Sequence, residues 1–226
     1  SNKVIFCDNK YHHHFIYDID KNKKIISLFK NEIKIKSDLI KDFKKFKKKN
    51  FKGKVLGVHF RGTSYKRSPG HPFPATKKQM LNIVKRIMNK YNYSKIFLAT
   101  EEKDYLDFFK THFSSKLIFL KDVYRSNIND AFKKYPRKNH RYKLGREIIL
   151  DTLLLSSAEC FIYVNSNVSS AAIALNLNKR QKRFIIENGN NSKNEFFAQF
   201  LWYLKKNFPI IFGDFKNKIK YKSSTN

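Results

Sequence analysis

From Gly53 onward the chain alternates short apolar runs with periodic segments of about a dozen residues, and this rhythm restricts it to a narrow set of folds. The runs Val55 to Phe60, Lys95 to Ala99, Leu117 to Leu120, Phe161 to Val164 and Arg183 to Ile186 have the length and character of buried strands. Between them, Thr76 to Tyr91, Glu101 to His112, Leu144 to Ser157 and Ser166 to Leu175 repeat apolar positions at helical spacing, and a last such segment lies near Glu195 to Lys206. Strands joined through helices build parallel sheets. The pattern therefore predicts an α/β fold, a Rossmann-like parallel sheet with helices on both faces. Such sheets bind ligands beyond the carboxyl ends of their strands, so chemistry is to be sought just after each strand.

Ahead of this rhythm, residues 1 to 35 are irregular, with short strand-like pieces at Val4 to Cys7 and Phe15 to Tyr17. From Ser37 to Lys49, Leu39, Ile40, Phe43 and Phe46 recur at helical spacing in a field of lysines, which predicts an amphipathic basic helix with Ser37 as its N-cap. No repeat and no Gly/Ser/Pro linker divides the chain. The expected organisation is an N-terminal segment and basic helix over 1–50, a ligand-binding sheet domain over 51–215, and a basic, disordered tail over 216–226.

The formal charge of +30 raises nucleic acid, anionic membranes and anionic substrates as partners. The basic residues are scattered, however, and Lys, Asn, Ile and Phe are abundant throughout, so most of this charge reads as compositional and no nucleic-acid partner is expected. For the basic helix a solvated face is the first reading, and peripheral attachment to the inner face of a membrane the second. Cys7 and Cys160 are too few for a disulfide framework, and no run reaches the roughly 18 apolar residues of a membrane span. A soluble, cytoplasmic protein is expected. Because the chain opens on Ser-Asn without a methionine, a trimmed chain is also expected.

Three stretches carry candidate chemistry. The first strand ends in His59-Phe60-Arg61-Gly62-Thr63, followed by Ser64-Tyr65-Lys66-Arg67 and by Pro69-Gly70-His71-Pro72. Strand alternation puts His59 and Arg61 on one face and Val58 and Phe60 on the other. A guanidinium beside a glycine, which lets backbone approach closely, suits bidentate diphosphate binding. The second stretch is Leu144 to Leu155, where positions 144, 148, 151 and 155 form one helical stripe reading Leu, Ile, Asp, Leu. A carboxylate there is costly unless it accepts hydrogen bonds. Either a structural partner meets Asp151, or it accepts the adjacent N–H donors of a guanine edge. The third is Val164-Asn165-Ser166-Asn167-Val168-Ser169-Ser170-Ala171-Ala172, a strand end entering a helix, where backbone N–H groups and small polar side chains make an anion site; simple N-capping explains one Ser or Asn, not the whole cluster.

Asp18-Ile19-Asp20 imitates the Asp-x-Asp of metal-dependent sugar transferases, but it sits in the irregular N-terminal piece. His12, His13 and His14 are adjacent, and on an extended strand they cannot all ligate one ion. No metal site is expected, and neither a phosphate-loop lysine motif nor a complete Gly-x-Gly-x-x-Gly is present.

In this order and spacing the three stretches resemble the donor-binding half of the fucosyltransferase superfamily that includes the α1,6-fucosyltransferases, nodulation fucosyltransferases and protein O-fucosyltransferases. The resemblance runs from about Lys54 to Leu175. Val58-His59-Phe60-Arg61 with Thr63 is similar to the family's strand-terminal His-x-Arg, with Gly62 in place of a second arginine, which is closer to the O-fucosyl pattern. Ile96 to Thr100 followed by Glu101-Glu102 is similar to its second block, with Glu where Asp is common. Ile149-Leu150-Asp151 through Ser166-Asn167 resembles its third. Ser64 and Tyr65 stand where the α1,6 branch carries an acidic residue.

The resemblance implies the C-terminal donor-binding domain of a GT-B glycosyltransferase. It further implies inverting, metal-independent transfer of fucose from GDP-fucose to a glycan or other hydroxyl acceptor, with no cofactor. Diphosphate binding would fall to Arg61 with Gly62 and Thr63, guanine contact to His59 and Asp151, and phosphate contact to Ser166, Asn167, Ser169 and Ser170. Arg61 would stabilise the leaving phosphate, and His71 and Glu101, near strand ends, are the candidate bases. Only the donor-binding domain is evident, so a truncated chain or a reduced form that borrows its acceptor surface is expected. A role in bacterial surface-polysaccharide synthesis is the expectation for the biology. The rival readings are a non-catalytic interaction protein on the same fold and a basic nucleic-acid-binding module.

Overall fold

The computed structural model describes residues 23–128, 134–175, 177–215 and 219–222. The strand-like pieces at 4–7 and 15–17, Asp18 to Asp20 and His12 to His14 lie outside the described residues. Helices α1 (Lys23–Glu32) and α2 (Ser37–Asn50) precede β1 (Val55–His59), α3 (Lys77–Tyr91), β2 (Lys95–Ala99), α4 (Lys103–Phe113) and β3 (Leu117–Ile118). Then come α5 (His140–Ser157), β4 (Cys160–Tyr163), α6 (Asn167–Leu175), β5 (Lys182–Ile186), α7 (Glu195–Asn207), the single turn α8 (Pro209–Phe212) and β6 (Ile219–Lys222).

Among the described residues the strands form one sheet in the order β3-β2-β1-β4-β5-β6. All neighbours are parallel except β5 and β6. Both faces are covered. Leu56, Val58 and Phe60 pack with α3 and α4 through Ile83, Val84, Ile87, Leu106 and Phe109. On the other face Val55, Phe97, Ala99, Phe161 and Tyr163 meet Leu153, Leu154 and Leu155 of α5 and Ala172 and Ile173 of α6. Gly57 lets α5 approach closely, since a Cβ there would stand 3.1 Å from the Ala158 Cβ and 3.3 Å from the Cys160 carbonyl.

Local chemistry explains most boundaries. Thr76 accepts the Gln79 N–H and Gln79 reaches back to the Thr76 N–H, a capping box at the start of α3. Asn92 ends that helix in the left-handed conformation. Ser37 is the first residue of α2 rather than its cap, which falls on Lys36 without a side-chain bond. Leu39 and Phe43 of α2 are buried, Phe43 within the α5–α6 face, and Arg146 of α5 clamps α2 through Asp38 and Asp42.

The expectation of a disordered tail over 216–226 is corrected for Ile219–Lys222, which form an antiparallel edge strand on β5. Ile219 packs against the sheet's core, the Tyr221 ring lies 5.4 Å from that of Phe184, and Lys220 pairs with Glu187 at 2.6 Å. Two apolar residues alternating with lysines make an ordinary protected edge.

Candidate functional site

In the observed strand order the chain moves outward from β1 to β2 and β3, then returns to place β4 on the other side of β1. That reversal opens a crevice beyond the carboxyl ends of β1 and β4. His59, the last residue of β1, is 4% exposed, and its Nδ1 lies 3.4 Å from the Ser166 hydroxyl beyond β4. Burial, with Arg61 nearby, lowers its pKa to about 4 against the opposing pull of Glu101. The imidazole is therefore neutral at neutral pH, able to donate from one nitrogen and accept at the other.

The segment after β1 is fastened by the two carboxylates that end β2. Glu101 Oε1 accepts the Gly62 N–H at 2.8 Å and the Thr63 hydroxyl at 3.1 Å, and stands 3.7 Å from Arg61 Nε. Glu102 accepts the Thr63 N–H at 3.1 Å and pairs with the buried Lys66. Burial alone would raise the pKa of Glu101, but the Arg61 guanidinium and the Gly62 N–H hold it below the usual range. Glycine is required at 62 by close approach, because a Cβ would fall 1.6 Å from Glu102 Oε2 and 2.8 Å from the Tyr105 ring. Gly62→Ala should therefore displace Glu102 and destabilise the protein by about 1–3 kcal/mol. Denaturant unfolding checks this, and an unchanged midpoint contradicts it.

Arg61 leans its guanidinium over the Tyr65 ring at 4.8 Å, and its Nη2 donates to the Ser64 hydroxyl at 3.3 Å. Its Nε is buried with no hydrogen-bond partner among the described residues. Asp151 Oδ1, on α5, is in the same condition. Burial pushes the Asp151 carboxyl up to about 7; Arg125 pulls it down, while Glu147 and Glu101 add to the rise. A carboxyl of raised pKa and a guanidinium N–H with no hydrogen bond among the described residues thus sit in one cleft. Both are costly unless a ligand completes them.

The cleft is lined by His59, Arg61 and Thr63 from β1 and its following segment, Glu101 beyond β2, and Leu144, Glu147 and Asp151 from α5, with Val168 at the start of α6. Its enclosed volume is about 100 Å³, below the roughly 300–1,000 Å³ of a typical small-ligand pocket. It can enclose one group of a larger ligand, the rest lying along the open strand ends.

Tyr124 and Ser126 also line the cleft, and no local sequence pattern announces them. Arg125 brings them there by donating to the carbonyls of Thr100 at 3.1 Å, Leu120 at 3.0 Å and Val123 at 3.3 Å, which folds this stretch over the end of β2. Arg137 grips Glu147 with two bonds, Nη2 to Oε2 at 2.7 Å, and so fixes the approach to α5.

The Ser166 to Ser170 cluster divides. Ser166 and Ser169 cap each other: the Ser166 N–H donates to Ser169 Oγ at 2.8 Å, and the Ser169 N–H to Ser166 Oγ at 3.1 Å. Ser166 reaches the site through His59, whereas Ser169 and Ser170 are buried within α6. Asn167 is exposed and faces the neighbouring groove between α1 and α5. His71 packs on Tyr65 at 4.8 Å and is not part of the cleft lining. Among the described residues, no group of three or more His, Cys, Asp or Glu is placed to hold a metal ion.

No protein-family model and no curated protein matches the chain. Solved structures do match, and the architecture shared with them is a Rossmann-like α/β fold. One of them is the NodZ α-1,6-fucosyltransferase co-crystallised with GDP, at 16% identity and TM-score 0.50, covering 74% of this chain and 50% of that one. The fucosyltransferase NodZ from Bradyrhizobium matches at 16% identity and TM-score 0.52, over 75% of this chain and 50% of that chain. NodZ soaked with GDP-fucose matches at 16% identity and TM-score 0.50, over 88% of this chain and 52% of that one. The chain thus spans about half the length of the structures it matches, and the likeness establishes the fold.

Proposed function

We propose that this chain carries the donor-binding part of an inverting, metal-independent fucosyltransferase that uses GDP-fucose and a glycan or other hydroxyl acceptor. The observation that carries this reading is the pairing, in one strand-end cleft, of two buried polar atoms that make no hydrogen bond among the described residues: Arg61 Nε, which has only the Glu101 carboxylate at 3.7 Å, and Asp151 Oδ1. The guanidinium suits the diphosphate and the carboxylate suits the N–H edge of guanine. The solved NodZ structures, which include a GDP complex and a GDP-fucose soak, support the reading at the level of fold.

In the proposed reaction the acceptor oxygen bonds to the anomeric carbon as the bond from that carbon to the β-phosphate oxygen breaks, and the acceptor's proton passes to a base. Arg61 would stabilise charge on the departing GDP, with the backbone N–H groups that open α6 beside it. Of the two candidate bases, Glu101 lines the cleft; its Oε1 is committed to Gly62 and Thr63, which leaves Oε2 to take a proton. His71 would need to act from behind Tyr65. Asn167, Ser169 and Ser170 would act through their place in α6 and its N-terminus rather than through hydroxyl contacts in the cleft. The N-terminal 1–50 segment would join this donor-binding unit to an acceptor surface outside it.

A thermal-shift series with GDP, GDP-fucose, UDP, ADP and a short oligonucleotide tests this, followed by a turnover measurement with GDP-fucose. GDP and GDP-fucose should stabilise the protein above UDP and ADP. Equal shifts for all nucleotides, or a steeply salt-dependent response to the oligonucleotide alone, would point to the nucleic-acid reading. GDP preference without turnover would favour the non-catalytic one.

A further inference from the structure

The surface that departs most from an ordinary water-facing one is the outer side of α7 and α8. Helix α7 turns Ala198 and Trp202 inward, and the Trp202 indole N–H donates to the Pro74 carbonyl at 3.0 Å. On the opposite side Phe196, Phe197 and Phe200 are 70%, 62% and 53% exposed. At helical spacing these rings and Leu204 fall within one arc of roughly 100° pointing away from Ala198 and Trp202. The exposed Phe208, Ile210, Ile211 and Phe212 continue the patch into α8. A helix apolar on both sides is ordinarily covered on both, and a contiguous exposed patch of this size marks a docking surface.

Charge selects the occupant. Lys193 precedes α7, and the Lys205 ammonium donates to the Phe212 carbonyl at 2.7 Å, which sets a cation at the corner with α8, while Lys206 lies on the inward side, 5.5 Å over the Trp202 ring. Glu195 and Asp214 oppose them, but the chain as a whole carries +30, so two copies repel one another. Aromatic rings bordered by ammonium groups suit the boundary between acyl chains and phosphate head groups, where apolar insertion and electrostatic attraction act together.

We propose that the α7–α8 face docks on an anionic lipid surface. Helix α2, the membrane candidate by composition, has Leu39 and Phe43 buried, and its basic side can supply attraction only. Helix α7 packs beside the turn Thr63–Lys66, and the Ser192 carbonyl just before it accepts the Gly70 N–H at 2.9 Å. The inference does not depend on the chemistry of the cleft.

Vesicle co-sedimentation tests it, using phosphatidylcholine alone and phosphatidylcholine mixed with phosphatidylglycerol. The expected result is binding to the mixed vesicles that weakens as salt rises. The triple variant Phe196→Ser/Phe197→Ser/Phe200→Ser should partition on the order of tenfold less or weaker still. Lys193→Glu/Lys205→Glu should lose binding at low salt. If the triple variant fails to fold, Ile210→Ser/Ile211→Ser serves in its place, both side chains being exposed. No vesicle binding, equal binding to neutral vesicles, undiminished binding by the apolar variants, or a wild-type dimer that these variants dissociate would each overturn the proposal. GDP binding in solution is measured separately, so failure here leaves the donor site standing.

Discussion

Arg61→Ala should weaken GDP binding by on the order of ten- to a hundredfold, the range for losing charge-assisted hydrogen bonds to a phosphate, while leaving the fold intact. The fold should survive because the Arg61 side chain is partly exposed, and its contacts are one hydroxyl, one ring face and an ion pair at 3.7 Å. Glu101 keeps its bonds from Gly62 and Thr63 in the variant, so the segment after β1 stays fastened. Arg61→Lys should rescue little, since an ammonium lacks the planar fork and cannot stack on Tyr65 in the same way. Calorimetric titration with GDP, alongside turnover of GDP-fucose, reads both variants. The reading requires KM and kcat to move together, because the same guanidinium would hold the diphosphate in the bound donor and stabilise it as it departs. GDP affinity unchanged in Arg61→Ala sinks the diphosphate assignment.

The same cleft shows what a sequence can and cannot disclose. The parallel sheet was legible because Leu56, Val58 and Phe60 sit in an unbroken apolar run, and because Thr76-x-x-Gln79 spells out a helix start. Strand alternation also placed His59 opposite Phe60, and in the structure Phe60 enters the α3–α4 core while His59 meets Ser166 on the other face. Helix α5 begins at His140, four residues before its apolar periodicity does. Its first turn is polar and is anchored by Arg137 and the Tyr124 ring, neither of which leaves a local signal. Strand β6 was hidden by its lysines. Tyr124 and Ser126 were invisible because Arg125 places them through backbone carbonyls, which every residue has. Ser166 and Ser169 show the opposite hazard: the spacing that suggested phosphate ligands also fits a reciprocal cap, and a cap is what those hydroxyls form.

Asp151→Asn should move stability and binding in opposite directions, which separates a ligand-facing carboxylate from a structural one. In the folded protein the Asp151 carboxyl titrates at about 7, well above its ordinary carboxylate value. Between those two pH values the folded state holds a proton that the unfolded state has released, so this group's contribution to stability falls as pH rises through the window. Below the ordinary carboxylate value of 3.8 the side chain is neutral in both states, and wild type and Asn variant should unfold alike. At pH 5 the unfolded chain has already released this proton, and the variant should lead by a minor part of its full margin. At pH 8 the wild type bears a buried, incompletely paired charge, and the variant should be more stable by on the order of 2–4 kcal/mol. Comparing variant with wild type at each pH removes the opposing contribution of His59, whose depressed pKa is common to both. Binding should behave in reverse. Only the ionised carboxylate can accept two guanine N–H bonds, so wild-type affinity for GDP should drop about tenfold per pH unit below 7. The Asn variant should bind weakly with no such slope, because an amide offers one acceptor and presents an N–H to the second donor. Thermal unfolding from pH 5 to 8, with and without GDP, gives both readouts from one set of samples. A variant less stable than wild type at pH 8 with GDP affinity unchanged would make Asp151 a structural partner of Arg125 and remove guanine from its role.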